Sequence, residues 1–224
     1  LPFETKVIKT LKLRNCTLKK CGKLRCFFGT FLNREVTLCE VGVRAKRLKE
    51  IERVLEVSEI SVVLGVGMAG GLVPGFPAGK VIAPKKLRLP KEDYQVDAEL
   101  HKLLVSSGAK PIEALATVPK VCFDRRSKFQ LAQKTSSQAV DMERGSQASW
   151  AEKNSIPFAV LRAISDPFSA RVPPYLAGRH VAIDCLVDTL PDAFLLALRA
   201  FLCRRRLAKV LRSFLEALVL TRYY

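Results

Sequence analysis

Residues 157–166, PFAVLRAISD, constrain the fold more than any other stretch of this chain. Phe158 to Ile164 is a nearly unbroken apolar run that only Arg162 interrupts, entered through Pro157 and left through Ser165 and Asp166. A run this short, apolar at both alternating sets of positions, suits a strand covered on two faces, the interior strand of an α/β sheet. In open α/β sheets, ligands sit outside the carboxyl ends of the strands, which is where Asp166 falls. Upstream, AVDMERGSQASWAEK (139–153) sets Asp141 and Glu143 just before a helical pattern. Its Gly145, Ala148 and Ala151 make a small-residue stripe, which lets a helix lie close to a sheet. Acids at element ends on adjoining segments of one crevice point to chemistry rather than packing.

The remaining pattern alternates in the same way. Leu1 to Ile8 reads as the exit from a strand whose body lies ahead of residue 1, because the numbering opens on Leu rather than Met. Leu24–Leu32 and Glu35–Val43 read as strands joined at Asn33-Arg34, and 44–57 carries apolar residues at helical spacing. Ile60–Val66 is a β-branched strand running into a glycine-rich turn, GVGMAGGL (65–72). Short strands follow at 81–83 and 112–118, with helices at 98–105 and 128–133. After a proline-containing loop come helices at 181–190, 192–202 and 207–220. The expected fold is a three-layer α/β/α sandwich around a twisted mixed sheet with a helical C-terminal tail. The domain boundaries are 1–198 for the α/β unit and 199–224 for the tail.

With 224 residues, 49% of them hydrophobic, the chain can build one sizeable core. It has no internal repeat, and no apolar run is long enough to span a bilayer. Seven cysteines and no secretory leader favour a reducing cytoplasm. Cys16, Cys21 and Cys26 lack a CxxC pair or a neighbouring His, so no metal is expected there. The net charge of +17 calls for an anionic partner. Residues 1–53 hold fourteen Lys/Arg against five Asp/Glu, and 199–222 hold seven against one. Aromatics do not interleave with these cations as single-strand platforms require, so nucleic acid ranks below an anionic membrane surface.

The block AVDMERGSQASWAEKNSIPFAVLRAISD, with GMAGGL upstream and Phe3-Glu4 near the start, resembles the purine nucleoside phosphorylase/nucleosidase superfamily. VDME, PFAVLRAISDP, the later Pro173-Pro174 and the basic Leu-rich tail are most similar to hopanoid-associated phosphorylases. The resemblance implies that Asp166 gives a proton to N7 of a departing purine. It also implies that Glu143 binds the ribose hydroxyls while Met142 lines the ribose pocket and Phe123 stacks on the base. Ala69 and Gly70 would present backbone to the purine or nucleophile, Ser165 would orient Asp166, and Glu4 would activate the attacking water. No cofactor is implied, although phosphate could serve as co-substrate. Met68 stands where relatives often carry a hydroxyl, and its thioether cannot donate a hydrogen bond, which favours water over phosphate.

The implied reaction is cleavage of the N-glycosidic bond of an adenosine derivative, adenosylhopane foremost, with release of adenine. Its partners would be an adenosine-derived small molecule or a lipid nucleoside, an anionic membrane surface and a second copy of the chain. A lipid-linked substrate places a soluble enzyme at a membrane, where the cations Arg199, Arg204–Arg206, Lys209 and Arg212 flank Leu207, Val210, Leu211, Phe214, Leu215 and Leu218. That helix lies either on the membrane interface or against the core. A methylthioadenosine/S-adenosylhomocysteine-type nucleosidase is the second reading. A non-catalytic basic protein that binds membrane or nucleic acid is the third, motivated by Met68, Lys80 and Arg144.

Overall fold

The computed structural model describes residues 11–42, 47–90, 92–119, 124–142, 145–171 and 183–221, apart from the side chains of 183–193 and 196. In chain order the strands and helices are β1 (Arg14–Cys21), β2 (Leu24–Phe31), β3 (Arg34–Cys39), β4 (Val63–Gly71), β5 (Val81–Arg88), β6 (Asp93–Gln95), α1 (Ala98–Ser106), β7 (Lys110–Thr117), α2 (Arg125–Thr135), β8 (Ala139–Asp141), α3 (Ser146–Lys153), β9 (Phe158–Asp166) and α4 (Ile183–Leu220). Two short 3₁₀ helices, Leu48–Arg53 and Val57–Glu59, precede β4.

The apolar run forms β9, and all its residues up to Ser165 are buried. It pairs in parallel with β4, from Val63 opposite Phe158 to Gly70 opposite Asp166. The large sheet is mixed, in the order β6-β5-β7-β8-β4-β9, and β5 also pairs with β9. That extra pairing closes β5, β7, β8, β4 and β9 into a ring. Both faces of β9 are covered. Ala159, Leu161 and Ala163 meet Leu100 and Leu104 of α1 and Leu207, Leu211 and Phe214 of α4. Phe158, Val160 and Ile164 share the other cluster with Ala148 and Ala151, the small-residue stripe of α3. Each fully buried Leu or Phe here contributes about 1.5–3 kcal/mol. The α/β architecture with helices on both faces is therefore the one predicted.

Helix starts follow local chemistry. Asp97 caps α1 by accepting from the Leu100 N–H at 2.8 Å, and Asp124 caps α2 by accepting from the Ser127 N–H at 2.7 Å. Gly145 precedes α3 at φ +64°, and a Cβ there would lie 2.6 Å from Leu89, so both the turn and the packing require glycine.

Four local expectations change. The glycine-rich segment is strand, not turn, because β4 extends to Gly71. Its glycines leave room for side chains lying over the strand: a Cβ on Gly65 would be 2.5 Å from Gln147 Oε1. Within 44–57, the described part holds the 3₁₀ helices rather than one α-helix. The first strand, β1, had no clear sequence signal, since its side chains are almost all exposed. The three C-terminal helices are a single helix, α4, which runs unbroken through residue 198. Its Leu207, Val210, Leu211 and Phe214 are buried in the core, with Leu215 and Leu218 packed against them, so that apolar face belongs to the protein interior.

Arg162, the one cation in the apolar run, is 2% exposed and is matched by Asp141. Its Nε and Nη2 donate to Asp141 Oδ2 at 3.0 and 2.9 Å, and Nη1 donates to the Gly65 carbonyl at 2.7 Å. Thr117 Oγ1 donates to Asp141 Oδ1 at 2.5 Å. Asp141 is thus the structural partner of Arg162 inside the ring. Asp141→Ala, which leaves the guanidinium buried without its counter-charge, is expected to cost about 3–5 kcal/mol in urea unfolding. A cost below about 1 kcal/mol would show that the network contributes little.

Candidate active site

Asp166 ends β9 at the carboxyl edge of the sheet, and its side chain keeps 15% of its surface exposed. Three groups fix it. Ser165 Oγ donates to Asp166 Oδ1 at 2.8 Å. On the other side, Lys128 Nζ lies 3.0 Å from Asp166 Oδ2. Gly70, its register partner, makes the approach possible: a Cβ on Gly70 would come within 2.6 Å of Oδ2. Ser165 Oγ also lies 3.4 Å from the Ala69 carbonyl, tying β9 to β4 just below the carboxylate.

Lys128 escaped the sequence reading, which took it only as the start of a helix. Its side chain is fully buried, and its ammonium donates to the carbonyls of Asp166 (3.2 Å), Pro167 (2.8 Å) and Ala170 (3.2 Å). One cation therefore binds the carboxylate and the turn that follows it. The available signal was its spacing, three and four residues before Leu131 and Ala132, which pack inward from the same helix. A lysine on the inward stripe of a helix needs a buried acceptor.

Behind this corner, Cys203 of α4 donates from Sγ to the Ile164 carbonyl at 3.0 Å. Burial, with the Asp166 charge adding to it, pushes the Cys203 thiol up to about 11, so it stays protonated as an anchor. Met142 follows β8 and is half-buried, and Val140 of that strand pairs with Gly70. Ala69, Gly70, Ser165 and Asp166 therefore sit together at the carboxyl ends of β4 and β9, while β8 runs antiparallel to β4 and carries Met142 back toward the level of Met68. Ala69 is almost fully buried, while Met68 is 37% exposed. Glu4, Phe123 and Glu143 lie outside the described residues.

A separate cavity of about 810 Å³ lies between the β1-β2-β3 sheet, the 3₁₀ helices, the start of β4 and the end of α4. Its walls include Phe28, Leu38, Ile51, Trp150 and Phe214, and neither Asp166 nor Lys128 lines it. The Asp166 corner and this cavity are thus separate features of the chain. Among the described residues no group of three or more His, Cys, Asp or Glu is placed to hold a metal ion.

A carboxyl group fixed on one edge and open on the other can pass a proton to a ligand atom. The carboxylate left behind meets an ammonium already in place. Residues 4–174 match the family model of the phosphorylase superfamily. The chain belongs to that superfamily. Membership places it in the predicted enzyme class, the purine nucleosidases and nucleoside phosphorylases. No curated protein matches the sequence. Among solved structures, futalosine hydrolase of Helicobacter pylori is similar at 17% identity and TM-score 0.76, over 97% of this chain and 94% of that one. The Streptococcus pneumoniae MTA/SAH nucleosidase in complex with 8-aminoadenine matches at 18% and 0.75, over 97% and 96%. A mutant H. pylori MTAN with 5′-methylthioadenosine in its active site matches at 18% and 0.73, over 97% and 95%. At these identities the likeness speaks for the superfamily fold.

Proposed function

We propose that this superfamily member cleaves the N-glycosidic bond of an adenosine derivative and releases adenine, with adenosylhopane as the leading substrate. The observation that carries the chemistry is the Asp166 corner: a partly open carboxyl between Ser165 and a buried Lys128. Cleavage passes through an oxocarbenium-like transition state, and the purine departs readily once N7 accepts a proton. Asp166 takes up a proton from water at its open edge and passes it to N7, Ser165 holds the carboxyl in orientation, and Lys128 pairs with the carboxylate before and after the transfer. Glu143 accepts from the ribose hydroxyls, for which a carboxylate offers two oxygens. Met142 packs on the sugar and Phe123 on the base, beside the Ala69-Gly70 backbone. Glu4 activates water, the acceptor favoured by the exposed Met68 thioether beside the site. The protein works in the cytoplasm, against the inner face of a membrane when its substrate is lipid-linked, with a second copy of the chain as a further partner. Among the described residues no helix is long and apolar enough to cross a membrane.

A methylthioadenosine/S-adenosylhomocysteine-type activity is the second reading, supported by the fold shared with a nucleosidase that holds 5′-methylthioadenosine. Superfamily membership weighs against a purely non-catalytic basic protein. The test measures free adenine from adenosylhopane and from methylthioadenosine, each with and without phosphate. Adenine from the lipid nucleoside without phosphate is expected, and Glu143→Ala should lower its release at least about a hundredfold. Strict dependence on phosphate would replace water as acceptor. Turnover of methylthioadenosine alone would establish the second reading.

A further inference from the structure

Helix α4 carries two apolar faces that point in opposite directions. At about 100° per residue, the buried Cys203, Leu207, Val210, Leu211 and Phe214 share one side. Phe194, Leu195, Leu198, Phe201 and Leu202 fall in an arc of roughly 120° on the other side, all exposed, with Phe194 at 71% and Leu198 at 56%. This outward row cannot join the core without turning the buried row out. It covers roughly 12 Å of helix at 1.5 Å per residue. Further along, the same outward side changes character and presents Arg205, Lys209 and Arg212, all exposed. Arg204 and Arg205 lie 4.8 and 6.0 Å from the Phe201 ring centre, so cations begin where the apolar turns end. The one carboxylate among residues 194–221 is Glu216, which pairs with Arg212 at 2.9 Å.

An exposed apolar row of this size marks an interaction surface, and the charges choose its partner. We propose that the outward stripe of α4 docks the protein on an anionic lipid bilayer. The Phe194–Leu202 turns enter the headgroup boundary, while Arg205, Lys209 and Arg212 lie on lipid phosphates, an apolar-plus-basic arrangement suited to an interface. A protein of net charge +17 is drawn to such a surface before contact. The row ends beside the candidate site. Leu202 and Arg206 come within 3.0 and 3.1 Å of where a Gly79 Cβ would stand, and the Gly79 N–H donates to the Ile164 carbonyl, two residues before Asp166. Docking stands without any catalytic assignment. That it delivers a nucleoside with an apolar 5′ substituent from the bilayer to Asp166 rests on the function proposed above.

Sedimentation with sucrose-loaded vesicles tests the docking, comparing phosphatidylglycerol/phosphatidylcholine mixtures with phosphatidylcholine alone. Binding should be at least about tenfold tighter to the anionic vesicles and should weaken as salt rises. The double variants Leu198→Ser/Phe201→Ser and Arg205→Glu/Lys209→Glu should each lose about tenfold or more. These side chains are exposed, and circular dichroism checks that the fold persists. Equal binding to both vesicle types, or binding that neither variant weakens, overturns the proposal. So does a dimer in light scattering that Leu198→Ser/Phe201→Ser makes monomeric while vesicles bind nothing, since the face then belongs to a second copy. Adenine release from adenosylhopane and from soluble methylthioadenosine is followed in parallel. Vesicle binding without adenine overturns the catalytic reading alone; adenine without vesicle binding overturns docking alone.

Discussion

Asp166→Asn is expected to lower adenine release at least about a hundredfold, with the loss in kcat rather than KM. The amide has the carboxyl's shape and can still accept a hydrogen bond from Ser165, now 2.8 Å from Oδ1, so the purine pocket persists. It cannot supply a proton to N7, and adenine must then leave as an anion. It also ends the ion pair with Lys128, which should lower the melting temperature and provides a separate reading of the same corner. Steady-state kinetics on a 5′-substituted adenosine, alongside thermal unfolding, separates the two effects. Unchanged kcat with a lowered melting temperature would reduce Asp166 to a structural partner of Lys128.

Lys128→Met should be the most damaging change outside the reacting groups. The ammonium is fully buried, is bonded to three backbone carbonyls and lies 3.0 Å from Asp166 Oδ2. A thioether fills most of the volume and satisfies none of these acceptors. Removing one member of a buried ion pair costs about 3–5 kcal/mol, which for a chain of this length lowers the melting temperature by roughly 10 °C. Turnover at a temperature where the variant remains folded should fall as well, because the carboxylate formed on proton transfer loses its counter-charge. Lys128→Arg should not rescue it, since a planar guanidinium does not fit a site shaped for a compact ammonium. Full turnover by folded Lys128→Met would show that the ammonium serves the 166–170 turn alone.

The parts of the fold that could be read from the sequence were those with a single strong cause. Phe158–Ile164 could be nothing but a covered strand, and Ala148 and Ala151 fixed the inward face of α3. The hairpin between β2 and β3 was equally plain, although its turn is Leu32-Asn33, both at positive φ, one residue earlier than Asn33-Arg34, with Arg34 paired to Phe31. Partnerships between distant residues were harder to read. Arg162 stood out as a cation inside an apolar run, yet its partner Asp141 lies on another strand and had been grouped with Glu143 by proximity in the chain. The glycines of β4 read as a turn because glycine is common in turns. Here they make room for the side chains of Gln147 and Asp166, a demand set by neighbouring elements. For α4, one apolar pattern suited either the core or a membrane interface. Two opposed faces on successive halves of the helix emerge only when the burial of each residue is known.

The most direct test is a structure with adenine bound. Cleavage assisted by Asp166 predicts adenine at the carboxyl end of β9, with N7 within about 3 Å of an Asp166 carboxyl oxygen and Lys128 still on the opposite side of that group. Adenine bound elsewhere, in the cavity under the small sheet for example, or seated at this edge with N7 turned away from Asp166, would contradict it.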